Sequence, residues 1–278
     1  MKILKTYKLY LGGEFIRSES GRTRSLKIHG KDVQYARVCE ASVKDFRNAV
    51  VHAKKGHDVW KEYSAYLKGQ ILYRMAEMCE GKREELKSLF VLSQGVKEEQ
   101  ASEWVQAGID SLVYYAGFAD KYQQISSSVN PVKDSFLHIS HQESLGVCVI
   151  IDQAKFSWQH LLDCLCSMLV AGNSVIMLLG QACPALLGPL GEIIATADIP
   201  HGAINLMSGN LNELWEAIAG HQEVRGIGYL HEDQSYLHSM KKAAVGNLKR
   251  ISTPQETRNL DNILGFSECK STWHPVNF

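Results

Sequence analysis

The chain has 278 residues, 45% hydrophobic and 22% charged, enough apolar material for a sizeable core in one large α/β domain or two smaller ones. Thirty Lys and Arg residues balance thirty Asp and Glu, which excludes a whole-molecule field drawing it to nucleic acid or an anionic membrane. The short basic runs Lys241-Lys242 and Lys249-Arg250 read as solvated helix or strand ends. There is no signal-peptide pattern and no run of ~18 apolar residues. Seven scattered cysteines form no Cys-x-x-Cys pair and no glycosylation sequon occurs, so a reduced, cytoplasmic protein is expected.

In chain order, residues 9–16 predict a hairpin, two apolar runs about the turn Gly12-Gly13. Ser42 is a helix N-cap, with Asp45 three residues on as its capping-box partner. Val43, Phe46, Ala49, Val50 and Ala53 then mark one apolar face. Further helices are predicted over 65–80, 83–93 and 98–122, with Gly95 as a C-terminal cap. Residues 126–131 read as a loop, and 136–141 with 145–151 as an extended pair. The rest alternates. Strands over 147–151, 174–178, 203–207 and 225–230 are separated by helices over 156–171, 184–197, 211–219 and 234–246. That alternation predicts parallel strands joined by right-handed crossovers, a doubly wound sheet. No internal repeat or low-complexity segment is present.

Several constellations carry little chemistry. Gly226-Ile227-Gly228 lacks the third glycine of a dinucleotide fingerprint and reads as strand or turn. His138 and His141, three apart in a strand, face opposite ways, so no metal site is expected. Cys164 and Cys166 do not share a helical face and read as structural thiols. Cys269 has no identifiable base beside it.

The stretch 8–13, the helix from Ala41 to Trp60, the ending Ser93-Gln94-Gly95 and the lead-in Leu145-Gly146-Val147 resemble aldehyde dehydrogenases. From Leu145 an ungapped match runs to Gly209. Its specific parts are Ala171-Gly172-Asn173-Ser174-Val175 and Ile199-Pro200-His201-Gly202-Ala203-Ile204-Asn205. With Asn247-Leu248-Lys249-Arg250 the resemblance covers about residues 7–252. It implies a Rossmann-like doubly wound parallel sheet of the cofactor-binding type, with N-terminal helices and a small β oligomerisation extension. The implied organisation is a hairpin and helices over 1–125, the β extension over 126–144 (with 271–278 as a further candidate strand) and a Rossmann-like half over 145–252. A short tail over 253–278 then stands in place of the catalytic domain.

The same resemblance implies lost chemistry. The family's oxyanion asparagine is Lys155 here, and the prolines of its loop are Gln153 and Ser157. Its ribose-binding Lys-Pro-x-Glu is Leu178-Leu179-Gly180-Gln181, so Leu178 cannot donate to a hydroxyl and only Gln181 stays polar. At its diphosphate turn stand Glu232 and Asp233, with Tyr236 at a glycine position. Its general base falls at Pro254, and Glu256, two residues along, has no reason to point the same way. The family's nucleophilic cysteine lies a few tens of residues beyond Arg250, and Phe278 comes first. The expectation is a catalytically inactive module with no cofactor, although residual NAD binding stays open. It is closest to the shortened, non-catalytic C-terminal unit of aldehyde dehydrogenase family 16, with itself or an active dehydrogenase unit as partner. The alternatives are an NAD(P)-dependent aldehyde oxidoreductase subunit and a residual nucleotide-binding domain.

Overall fold

The computed structural model describes residues 3–133, 135–152 and 155–276. Strand β1 (Lys5–Tyr7) precedes the expected hairpin of β2 (Leu9–Leu11) and β3 (Glu14–Ile16). Gly12 and Gly13 turn it at φ 61° and 91°, a conformation costly for any residue with a Cβ. Strands β4 (Thr23–Lys27) and β5 (Gln34–Cys39) were not legible in the sequence; with β1 they make a small sheet in the order β1-β5-β4. Helix α1 (Val43–Trp60) starts at the predicted cap. The Ser42 hydroxyl accepts from the Asp45 N–H, and the Asp45 carboxylate accepts from the Ser42 N–H.

Helices α2 (Ala65–Gly81) and α3 (Arg83–Gln94) follow, the latter closed by Gly95 in the left-handed region. The single helix expected over 98–122 is two, α4 (Glu98–Phe118) and α5 (Tyr122–Ser126). The predicted loop 126–131 contains strand β6 (Ser128–Asn130), because β7 (Phe136–Ser144) offers it a partner in antiparallel register. β7 does not pair with the next strand as expected. Gly146, at φ 124°, turns the chain out of one sheet and into another.

Then come β8 (Val147–Ile151), α6 (Trp158–Val170), β9 (Ser174–Leu179), α7 (Leu187–Thr196), β10 (Ile204–Ser208), α8 (Leu211–Gly220), β11 (Val224–Tyr229), α9 (Gln234–Ala243) and β12 (Arg250–Ser252). The main sheet has the order β12-β11-β8-β9-β10-β2-β3. Its first five strands are parallel, and the N-terminal hairpin adds an antiparallel edge through β2. Every residue of β8, β9 and β10 is buried, the pattern of parallel strands covered on both faces. Each large aliphatic side chain there contributes roughly 1.5–3 kcal/mol by leaving water. α6 and α7 pack against α2, and α1 lies against β9, β10 and α8. The α1 crossing is close. A Cβ on Gly56 would lie 2.1 Å from the Gly202 carbonyl carbon, so backbone meets backbone there.

Residues 253–276 are more than a tail. Helix α10 (Leu260–Leu264) packs on α6, and β13 (Ser267–Pro275) pairs with β7 along nine residues. The third sheet, β13-β7-β6, therefore takes its outer strand from a segment starting at Ser267, not Ser271. Most of its residues are exposed or half-exposed. Gln153, Asn277 and Phe278, named in the sequence-based expectations, lie outside the described residues.

Candidate functional site

In the parallel sheet β8, β9 and β10 progress in one direction, and the chain then returns to place β11 on the other side of β8. The switch point lies between β8 and β11, and ligands of such sheets bind outside the carboxyl ends of the strands there. A cavity of about 210 Å³ occupies this place, lined by Asp152, Leu178, Gln181, Asn210, His231 and Tyr236 among others. It falls below the ~300 Å³ at which small-molecule pockets usually begin.

Asp152 directly follows β8 and is almost fully buried. Its carboxylate accepts from the Gly180 N–H at 3.2 Å, and its own N–H donates to the Leu178 carbonyl at 3.1 Å. The two strand ends are thus tied together by the groups that face the crevice. Leu178 is 3% exposed and pairs with Ile151 on one side and Met207 on the other. Gln181, one loop further on, is exposed.

The N-terminus of α9 opens on the same crevice. Its orphan N–H groups are the natural anion site of such a fold. Asp233 is the N-cap. Its carboxylate accepts from the Ser235 N–H at 2.8 Å and the Ser235 hydroxyl at 2.6 Å. Those bonds hold the Asp233 carboxyl below its ordinary range. Burial and the Asp233 charge push the neighbouring Tyr229 phenol up to about 12. Tyr236, in the first turn of α9, fills space between α8 and α9, its ring 6.5 Å from Trp215 and 6.3 Å from His231. Glu232 is exposed and faces a different groove.

A second cluster forms at the N-terminus of α6. Ser157 caps it, accepting from the His160 N–H at 3.2 Å. The Ser157 hydroxyl donates a short hydrogen bond to Glu256. Glu256 therefore points back to the α6 terminus. The residues around it explain why. Pro254 is buried and its carbonyl accepts from His160 Nε2 at 2.8 Å, while the Asn262 amide donates to the Gln255 and Thr257 carbonyls at 3.1 and 2.9 Å. Lys155, exposed, lines the same cavity of about 300 Å³ as Ser157 and Glu256. Lys155 and Glu256 thus line one cavity while Pro254 is buried against His160, whereas Leu178, Gln181 and Tyr236 border the switch-point crevice.

Two further groups depart from the sequence reading, Asp163 because it was not singled out and Lys249 because it is buried rather than at a solvated strand end. Asp163, on α6, is fully buried with one carboxylate oxygen unpartnered. Burial raises its pKa, against a smaller lowering by Ser111. Lys249 turns inward, away from either cavity, and donates to the His221 and Val224 carbonyls at 2.7 and 2.6 Å; burial brings its pKa down to about 8. Among the described residues, no group of three His, Cys, Asp or Glu is arranged to hold a metal, and no helix is long and apolar enough to cross a membrane.

The family model described as "Aldehyde dehydrogenase family" matches residues 15–259. Cytosolic 10-formyltetrahydrofolate dehydrogenase of Mus musculus is 28% identical over 267 residues, 95% of this chain and 29% of that protein. The mitochondrial 10-formyltetrahydrofolate dehydrogenase of Mus musculus is 26% identical over 273 residues, 97% of this chain and 29% of that protein. The solved structure of PnpE in complex with nicotinamide adenine dinucleotide superposes with a TM-score of 0.80 at 26% identity, over 88% of this chain and 50% of that one. The chain thus spans under a third of these curated relatives and half of this solved structure.

Proposed function

This chain belongs to the aldehyde dehydrogenase family, and we propose that in it the fold serves assembly while the dehydrogenase chemistry has been given up. One observation carries the reading: both helix N-termini that face the candidate cavities are capped by the chain's own side chains, with a carboxylate at each. The Asp233 carboxylate accepts from the Ser235 N–H at the start of α9, and at α6 the Ser157 hydroxyl takes the His160 N–H while Glu256 accepts from that hydroxyl. N–H groups already capped have less to offer a diphosphate or an oxyanion, and the carboxylate charge beside each repels both.

The other residues agree. Leu178 has no group to offer a ribose hydroxyl and the Tyr236 ring takes up space in the crevice, so the groups present do not fit a dinucleotide. At the base position the buried Pro254 carries no titratable group. The loss of a general base alone is worth roughly 10²–10⁴-fold in rate. The site residues the family uses are therefore degenerate here at Lys155, Leu178, Gln181, Glu232, Tyr236 and Pro254.

The assembly half of the reading rests on the β13-β7-β6 sheet. Its faces keep Trp273 at 55% and Val129 at 69% exposure, and its edges offer unpaired backbone groups. The partner is a second copy or an active dehydrogenase unit, as the likeness to the shortened unit of family 16 implies. The seven free thiols fit a cytoplasmic location. Calorimetric titration with NAD to millimolar concentration is the test, with size-exclusion chromatography of the same sample. No heat and an oligomer are expected; saturable binding would sink the inactive reading.

A second reading, a residual nucleotide binder, draws on the polar groups Gln181, Asn210 and Asn212 around the crevice. Thermal stabilisation by adenine nucleotides below millimolar concentration would favour it.

A further inference from the structure

Four segments converge at the amino ends of the parallel strands, the opposite edge of the main sheet from the cavities described above. They bring together His57 from α1, Lys68 from α2, Ser144 from the end of β7 and Gly172 from the turn between α6 and β9. Ser144 leads into β8 and Gly172 into β9, so this place is a strand length, roughly 16 Å, from the switch-point crevice.

His57 Nε2 and Ser144 Oγ lie 3.0 Å apart, within the ~2.6–3.2 Å reach of a nucleophile and its base. Both residues are half-buried. Burial, and after it the Lys61 charge, lowers the His57 pKa below 6.5; Lys68 acts in the same sense and Asp58 against them. At neutral pH the ring is therefore mostly uncharged and able to accept the hydroxyl proton. Gly172, at φ 90°, has a backbone that strains any side chain, and a Cβ on it would stand 3.7 Å from Ser144 Oγ and 3.6 Å from Lys68 Nζ. The glycine thus leaves a methyl-sized hollow between a hydroxyl and a lysine. A carbonyl carbon in that hollow is close to the ~3–3.5 Å separation of a near-attack pair. Lys68 is half-buried, and its one hydrogen bond among the described residues is a long one, 3.5 Å to the Lys61 carbonyl. It has protons left to donate to a developing oxyanion.

We infer that these residues form an acyl-accepting site for esters of acetyl size with a good leaving group, with Ser144 as nucleophile, His57 as base and Lys68 as oxyanion donor. The Ser144 oxygen adds to the carbonyl carbon, forming a C–O bond, while its proton passes to His57 Nε2 and the carbonyl oxygen becomes an oxyanion beside Lys68. On collapse of the tetrahedral adduct the bond to the leaving group breaks, and His57 returns the proton to that group. One ester and one hydroxyl give the Ser144 ester and one alcohol, with no oxidant or reductant. The site uses neither nicotinamide nor a cysteine and lies outside the crevice, so it stands or falls independently of the assembly reading.

The test uses the full chain and 4-nitrophenyl acetate at neutral pH, with acetylated residues located by peptide mass spectrometry and nitrophenolate release timed in parallel. Ser144 is expected to be acetylated ~100-fold faster than the average of the other serines, the gain from a positioned base. Ser144→Ala, at a half-buried strand end, should keep its melting temperature and lose both that acetyl group and the matching phase of nitrophenolate release. His57→Gln should slow Ser144 acetylation by ~100-fold, and Lys68→Met by ~10-fold or more. Acetyl found only on Cys269 and exposed lysines, or Ser144 acetylation that keeps its rate in His57→Gln, overturns the proposal.

Discussion

The main sheet and the β13-β7-β6 sheet are built on opposite plans. Strands β8, β9 and β10 bury every residue and have helices on both faces. In β13 only Ser267 is buried, and Phe136, Leu137 and Trp273 stand exposed around a stacked His138–Trp273 pair with ring centroids 4.1 Å apart. The first is held by its own core. The second has backbone pairing and few apolar contacts within the chain, so a partner would contribute most of its remaining stability. The comparison teaches that in this chain the buried core and the exposed apolar side chains occupy separate sheets, and substitutions should sort accordingly.

The largest effect is expected at Gly56. A methyl group there would force α1 away from the backbone of Gly202 and Ala203, and Gly56→Ala should lower the unfolding free energy from urea denaturation by ~3 kcal/mol or more, with no change in how the extension sheet pairs. Next, Ile150→Ala empties a fully buried site in β8. It should cost about 3 kcal/mol by denaturant unfolding, and a cost near zero would mean that the sheet is not the core.

Asp163→Asn should act in the opposite sense. Burial raises the Asp163 pKa above 3.8 in the folded chain, so the folded state holds this proton more tightly than the unfolded state. Stability therefore declines as pH rises from about 3.8 through the raised value, and the cost is complete at neutral pH. The asparagine variant lacks that decline. It should be more stable than the parent at pH 7 by ~1 kcal/mol, the gain vanishing in acid; melting curves at pH 7 and pH 4 read the difference. The smallest effect on monomer stability is expected for Trp273→Ala, under ~1 kcal/mol at its half-exposed position, yet it should dissociate an oligomer in sedimentation velocity. Unchanged association would remove the extension sheet from the interface.

These regions also differ in how far they could be read beforehand. The apolar runs of β8 and β9 and the Ser42–Asp45 box carry their signals within a few residues, and they appear where periodicity and capping place them. β4, with Thr23, Arg24, Ser25, Leu26 and Lys27, has no apolar run to announce a strand, and β6 is a Ser- and Asn-rich segment that only pairing with β7 turns into one. At the candidate site, Leu178 and Tyr236 were visible as departures from the residues the resembled family has there. That Glu256 points to Ser157 was not, because spacing along a coil does not set direction.

By itself the sequence determined the alternation of strands and helices, the caps of α1 and α3 and the parallel core, since all of these follow from short-range pattern or residue identity. Only the tertiary structure decided that β13 rather than the neighbouring strand pairs with β7, and that a carboxylate 99 residues away reaches the cap of α6. Such contacts depend on how distant segments pack. The free energy that selects them comes from burial and hydrogen bonding in the assembled fold, which no local stretch of chain encodes.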